Sequence, residues 1–226
     1  MFAFIAREPI LDKSKSVFAY ELIFRDGKGG AYPEHSPEKA QYIEAQFHPL
    51  GLDDISGEKS SFINFSSETL ISRFPTTLDP ASVVVELADN PFTDTGLLEA
   101  CQHIKQLGYR LAIDDPMMLS ARHDILPLID IVKVDVSRTR FETIEKHIPR
   151  YLDANVKLVA EQVNTPDHFA TCSDLGFDLF QGYFFAQPEA RIVRQLPASK
   201  MNIVDLMGEV SGDSFDINRI SHVIER

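Results

Sequence analysis

The sequence is poor in cysteine, in basic residues and in long apolar runs, and each shortage removes a class of protein. Its only cysteines are Cys101 and Cys172. Neither has a CxxC partner, so no disulfide framework is expected, only two buried reduced thiols. Lysine and arginine number 22 against 34 aspartates and glutamates, a formal net charge of −12. Phosphate backbones are held by clustered basic side chains, so a nucleic-acid polymer is excluded as the expected partner. Carboxylates can instead hold a divalent metal that in turn binds a phosphate ligand. No apolar run approaches the roughly 18 residues of a membrane span. The stretch Met1–Arg7 lacks the basic-then-apolar layout of a signal peptide. A cytoplasmic protein without membrane insertion is expected. None of the seven histidines stands in HxH or HxxxH spacing, which argues against a histidine-rich zinc site.

What is present is globular composition, 44% apolar and 25% charged over 226 residues. That length allows one large domain or two small ones. The charge is uneven. Residues 190–226 hold five basic and five acidic side chains, so the whole excess lies in residues 1–189. A boundary near Pro188 is expected.

Short apolar, β-branched runs recur at Val17–Phe24, Ser61–Phe65, Val83–Leu87, Leu111–Ile113, Ile131–Val134, Leu158–Ala160 and Leu179–Phe180. Many are apolar on successive residues, as strands buried on both faces require. Between them lie helical patterns at Thr95–Leu107, Phe141–Leu152 and Pro166–Leu175, the last with Thr165 as N-cap and Gly176 behind it. Repeated strand-then-helix units imply a (β/α) barrel or a doubly wound sheet. No GxGxxG or Walker pattern follows a strand, which leaves the nucleotide-binding doubly wound sheet little support. Phe2–Ile10 and Ser16–Phe24 break the rhythm and read as a hairpin. The tail is patterned as helix and stops inside that pattern, as if cut from a longer protein.

In a parallel barrel the chemistry sits where the strands end. Each run carries a polar residue at or near that end: Glu21, Asn64, Glu86, Asp114 with Asp115, Lys133 with Asp135, Glu161, and Gln181. One acid after one strand is more often an N-cap or a solvated loop residue. Seven in step are not explained by capping, since Glu, Lys and Gln are poor caps. Glu21, Glu86, Asp114, Asp115 and Glu161 gathered at one mouth would repel and would need a cation. Hard oxygen ligands suit Mg²⁺, Mn²⁺ or Ca²⁺. Lys133 beside metal-bound oxygens could stabilise a phosphoryl transition state or orient a water; its plainer reading is a partner for Asp135 or Glu161.

These residues resemble the EAL domain, a family of cyclic di-GMP phosphodiesterases and their degenerate relatives. The resemblance rests on Glu21-Leu22-Ile23 with Phe24-Arg25, Asn64 in Ile-Asn-Phe-Ser, Glu86 in Val-Glu-Leu and Asp114-Asp115 after Ala-Ile. Val132-Lys133-Val134-Asp135, Ala160-Glu161 and Gln181-Gly182-Tyr183 with Pro188 extend it. The opening Phe-Ile-Ala-Arg-Glu-Pro-Ile and the Leu-Pro-Ala-Ser-Lys ending at Lys200 resemble the subgroup in which an EAL domain precedes an HDOD domain. The resemblance implies a TIM-like (β/α)8 barrel with an antiparallel first strand over residues 1–190. A linker and the first helices of a truncated HDOD-like domain would follow over 191–226. It also implies metal ligation by Glu21, Asn64, Glu86 and Asp114, and a second Mg²⁺ or Mn²⁺ at Asp115. Lys133 and Glu161 would activate the attacking water. Gln181 would line the site, and Arg25 would contact a ligand phosphate.

Three departures qualify that picture. Active members read Asp-Asp-Phe-Gly-Thr-Gly where this chain has Asp114-Asp115-Pro116-Met117-Met118-Leu119, and the glutamate that braces this loop is Asp89. The family's Ala-Glu-Gly-Val-Glu is Ala160-Glu161-Gln162-Val163-Asn164. Ligands are kept while their support changes, and lost support costs orders of magnitude in rate. The expectation is a cyclic di-GMP signalling protein with weak or lost hydrolysis, acting through ligand, a regulatory protein partner or a homodimer. The alternatives are an active phosphodiesterase yielding pGpG and a barrel that binds only protein.

Overall fold

The computed structural model describes residues 2–25, 52–65, 67–72, 78–87, 95–114, 126–186 and 189–194. Nine strands alternate with five helices over these residues. The strands are β1 (Phe2–Asp12), β2 (Val17–Arg25), β3 (Ser60–Phe65), β4 (Val83–Leu87), β5 (Arg110–Asp114), β6 (Ile131–Asp135), β7 (Lys157–Glu161), β8 (Leu179–Phe180) and β9 (Glu189–Arg194). The helices are α1 (Leu52–Ser56), α2 (Ser67–Ile71), α3 (Thr95–Gln106), α4 (Phe141–Asp153) and α5 (Pro166–Asp174).

β2 to β8 run parallel in sequence order, and β1 closes the barrel by pairing antiparallel with both β2 and β8. This is the TIM-like barrel with a reversed first strand that the resemblance implied. The runs buried on both faces are its walls: all five residues of β4 are buried. Their outward side chains pack on the helices, where Ile144, Ile148 and Tyr151 form the buried stripe of α4. Thr165 caps α5 by accepting a hydrogen bond from the His168 N–H at 3.1 Å, with Pro166 in the first turn as expected.

Inside the barrel lies one apolar layer. Ile10, Ala19, Phe62, Val84, Ala112, Ile131, Val159 and Leu179 form it, one residue from each of the eight strands. None is more than 3% exposed. Truncating the fully buried Phe62 to alanine would cost about 3–5 kcal/mol. Below this layer, aspartates tie the strand starts to their neighbours. Asp130 accepts the Leu111 N–H at 2.8 Å and pairs with Lys105, and Asp178 accepts the Leu158 N–H at 3.0 Å.

β9 crosses the expected boundary at residue 190. Residues 191–194 continue the sheet by pairing with Phe2–Ile5 of β1 rather than opening a linker. The reason is that β1 is 11 residues long and outruns the barrel wall. Its upper edge would otherwise leave backbone groups without partners. The expected C-terminal helices lie outside the described residues. Cys101 and Cys172 are buried and free, as the sequence implied. No helix among the described residues is long and apolar enough to cross a membrane.

Candidate functional site

Strand side chains alternate with a period of two, so the next inward residue on each strand lies one layer higher. Two positions above the apolar layer stand Glu21, Asn64, Glu86, Asp114, Lys133, Glu161 and Gln181. On β1, which runs the other way, two positions back from Ile10 is Glu8. Eight strands thus contribute eight polar residues to one ring at the barrel mouth. Seven are residues singled out from the sequence; Glu8 is the one missed.

Lys133 is the hub of the ring. Its ammonium lies 2.7 Å from Glu86 Oε1, 2.9 Å from Glu161 Oε1, 3.3 Å from Glu21 Oε2 and 3.5 Å from Asp114 Oδ1. Lys133 and Glu86 are each 1% exposed, while Glu21, Glu161 and Asp114 open progressively toward solvent. Asp135 is not a partner of Lys133. It turns into its own loop, accepting from the Ser137 N–H and pairing with Arg138 at 3.1 Å. Of the two partners weighed from the sequence, the structure brings in Glu161 alone. It adds Glu86, which lies 47 residues from Lys133 in the chain.

The electrostatics follow from one ammonium among several carboxylates. Burial opposes the charge on Lys133, but Glu161, Glu21, Glu86 and Asp114 outweigh it and hold its pKa well above the usual value. Burial pushes Glu86 well up despite Lys133, and Glu21, Asp114 and Glu161 add to the rise. Glu161 is pushed up to about 7, first by burial and then, against the pull of Lys133, by Asp114 and Glu21. Glu8 is raised by burial and by Glu21, while Gln181 and Lys133 lower it.

The ring has acceptors to spare. Among the described residues, Asn64 Oδ1, Glu86 Oε2, Asp114 Oδ1 and Gln181 Oε1 are buried oxygens without a hydrogen-bond donor, Asp114 Oδ1 having only its 3.5 Å ion pair with Lys133. Such atoms are costly unless something satisfies them. All four are hard oxygens, the donor chemistry of Mg²⁺, Mn²⁺ or Ca²⁺. The residues therefore fit a divalent cation. As they stand, no three His, Cys, Asp or Glu among the described residues are placed to hold a metal ion; the carboxylates gather instead on the Lys133 ammonium.

A backbone clip braces the far side of the ring. The Val163 N–H donates to Gln181 O at 2.9 Å, and the Phe184 N–H donates to Val163 O at 3.1 Å. Asn164 Oδ1 accepts the Tyr183 N–H at 3.2 Å. Gly182 sits against this clip at φ 147°, and a Cβ there would meet Val163 N and O at 2.4 Å. Only glycine fits so close an approach. Gln162, in the same segment, holds a left-handed φ of 57°.

Arg25 ends β2, four residues beyond Glu21, with its backbone paired to Phe4; its side chain lies outside the described residues. So do Asp115, the loop Pro116–Leu119 and Asp89.

The EAL domain family model matches residues 45–188, which includes the ring from Asn64 to Gln181. The chain is 34% identical over 228 residues to the cyclic di-GMP phosphodiesterase CdgJ of Vibrio cholerae, covering 98% of this chain and 52% of that protein. It is 28% identical over 233 residues to YuxH of Bacillus subtilis, covering 100% of this chain and 57% of that protein. The chain thus spans about half the length of these curated relatives. Among solved structures, the manganese and cyclic di-GMP complex of Klebsiella pneumoniae BlrP1 superposes with a TM-score of 0.67 at 21% identity. That match covers 84% of this chain and 57% of that one. The same protein was also solved with calcium. With a family match over most of its barrel and the barrel itself in place, this chain belongs to the EAL domain family.

Proposed function

We propose that this barrel is the cyclic di-GMP-binding unit of a signalling protein, with a divalent-cation site in which hydrolysis is weak or lost. The observation that carries the reading is the eight-membered polar ring with its four buried oxygens that no donor among the described residues hydrogen-bonds. The CdgJ relative and the cyclic di-GMP complexes of EAL structures support the ligand's identity.

In this reading Glu21, Asn64, Glu86 and Asp114 hold the first Mg²⁺ or Mn²⁺, and Asp115 helps with a second. A bound cation supplies Lewis-acid chemistry at a phosphodiester oxygen. Glu161, its carboxyl raised to about 7, accepts a proton from a water near neutral pH. Lys133 fixes the directions of Glu86 and Glu161 through its two shortest contacts. Gln181 would line the ligand, and the Arg25 guanidinium would fork onto its phosphate oxygens. Pro116 in place of the family's phenylalanine, with its two glycines gone, weakens the support of Asp114 and Asp115 and with it turnover.

The wider protein is proposed as an EAL–HDOD signalling protein in the cytoplasm. Residues 1–190 form the barrel, β9 carries its sheet on to Arg194, the remainder leads into the HDOD-like domain, and a protein partner or homodimer receives the signal.

The test combines purified protein, Mn²⁺ and cyclic di-GMP with chromatography, and calorimetry with Ca²⁺. Cyclic di-GMP binding with little or no pGpG is expected, and Glu21→Ala should abolish binding. Brisk pGpG production that Glu21→Ala removes would overturn the regulatory reading in favour of an active phosphodiesterase. Absence of both binding and hydrolysis would leave only protein contact.

A further inference from the structure

Asp135 stands two positions beyond Lys133 on β6. By the strand period it lies on the same inward side, about 7 Å above the ring, at the rim of the mouth. Its carboxylate is spent on the loop that follows. Oδ1 accepts the Ser137 N–H at 2.9 Å and the Ser137 hydroxyl at 2.6 Å. Oδ2 pairs with Arg138 Nε at 3.1 Å. These contacts fix the first turn after β6 and tether a guanidinium to the rim.

The tether leaves most of that guanidinium unused. A carboxylate that takes the whole arginine fork binds through two nitrogens. Here Nε alone is engaged, and the Arg138 side chain is 85% exposed against 26% for Asp135. The Nη donors therefore have no partner among the described residues. An exposed pair of this kind adds little to stability. Its effect is to hold one arginine in a set orientation beside a mouth lined with carboxylates.

The ligand proposed for this mouth carries a matching group. Each base of cyclic di-GMP hangs one sugar away from a phosphate, so a phosphate held at the ring brings its base up toward the rim. Guanine presents O6 and N7 side by side as acceptors, the pair that an arginine fork recognises most often. Adenine places an amino donor where guanine has O6, and the same fork rejects it.

We propose that Arg138, positioned by Asp135, is a specificity-determining residue that reads the O6 and N7 edge of one guanine of the ligand. The inference rests on the cyclic di-GMP reading of the same site.

The test is calorimetry in Ca²⁺ with two ligands, cyclic di-GMP and its 7-deazaguanine analogue, which lacks only the N7 acceptors. The proteins are the parent, Arg138→Met, Asp135→Asn and the double variant, each with a thermal melt. The parent should prefer cyclic di-GMP over the analogue about tenfold, the loss expected for one hydrogen bond to a charged group. Arg138→Met should weaken cyclic di-GMP about tenfold or more and bind the two ligands alike. Its melting temperature should stay within about 4 °C of the parent, since the pair it breaks is exposed. Asp135→Asn should reduce the preference in the parent and change nothing once Arg138 is methionine. A parent without preference, or a preference that survives in Arg138→Met, overturns the inference alone. Equal weakening of both ligands by Arg138→Met also overturns it, since that would place the guanidinium on a phosphate. An Asp135→Asn effect that persists in the double variant overturns the positioning role. A parent that does not bind cyclic di-GMP overturns the ligand reading and this inference together.

Discussion

Replacing Lys133 with methionine keeps an unbranched side chain, one atom shorter, and removes the only cation in the ring. Lys133 is 1% exposed and has four carboxylates within 3.5 Å. Breaking a buried ion pair by removing one partner costs about 3–5 kcal/mol, because the remaining charge is left uncompensated. A typical domain is stable by about 5–15 kcal/mol, so this is a large fraction of the total. At this chain length 1 kcal/mol is worth about 2–4 °C, which puts the expected fall in Tm at about 6–20 °C. The loss should depend on pH, and the sign is fixed by the carboxyls. Burial already raises Glu161 from 4.5 to about 7 in the parent. A folded pKa above the unfolded one means the fold binds the proton more tightly. Its contribution is therefore full below about 4.5 and lost as pH rises through about 7. Without Lys133 the carboxyls rise further and the loss deepens. Lys133→Met should therefore be near the parent at pH 5 and far below it at pH 8 in chelator. Mn²⁺ at about a thousand times its Kd would restore roughly 4 kcal/mol by mass action. Scanning calorimetry at both pH values, with chelator and with Mn²⁺, measures all of this. A variant as stable as the parent at pH 8 in chelator would refute the reasoning, since the carboxylates would then not depend on Lys133.

Three further outcomes test the surroundings of the ring. Gly182→Ala would drive a Cβ into the Val163 backbone at 2.4 Å, and urea unfolding should show a loss of about 2 kcal/mol or more with an unchanged m-value. An unchanged midpoint would mean the clip between Gln181 and Asn164 is not held as described. Gln162→Gly relieves a left-handed φ of 57° and should stabilise by about 1 kcal/mol or less, the strain relief being partly offset by glycine's freedom in the unfolded chain. Burial pushes Cys101 up to about 11 and Cys172 to about 12. Neither should react with a thiol reagent at pH 8 until the protein is unfolded, and fast labelling of the native protein would contradict their burial.

Much of the barrel was legible because its parallel strands are buried on both faces and so read as unbroken apolar runs. The polar residue closing each run was legible for the same reason: β2 to β8 share one direction, so each announces the mouth at its C-terminal end. Glu8 escaped because β1 is reversed and its mouth residue comes early in the strand. Pairing outward from the hairpin does not recover it either. Leu11 pairs with Val17 but Ile10 with Ala19, so a bulge at Phe18 shifts the register by one residue. Without that bulge Glu8 would face Tyr20, and Glu21 would have no carboxylate across from it. The partners of Lys133 were half legible. Asp135 lies on the same strand and Glu161 at the same level of the next one, but Glu86 reaches Lys133 from β4, across the intervening β5. The common thread is the two-residue period. Ile10, Ala19, Phe62, Val84, Ala112, Ile131, Val159 and Leu179 fill the barrel, and the ring stands one period above them on every strand. A one-residue slip of any strand would turn an apolar residue out of the core and a polar one out of the ring together. The alternation that packs the interior is thus the same constraint that assembles the site, so selection on either one preserves the register of both.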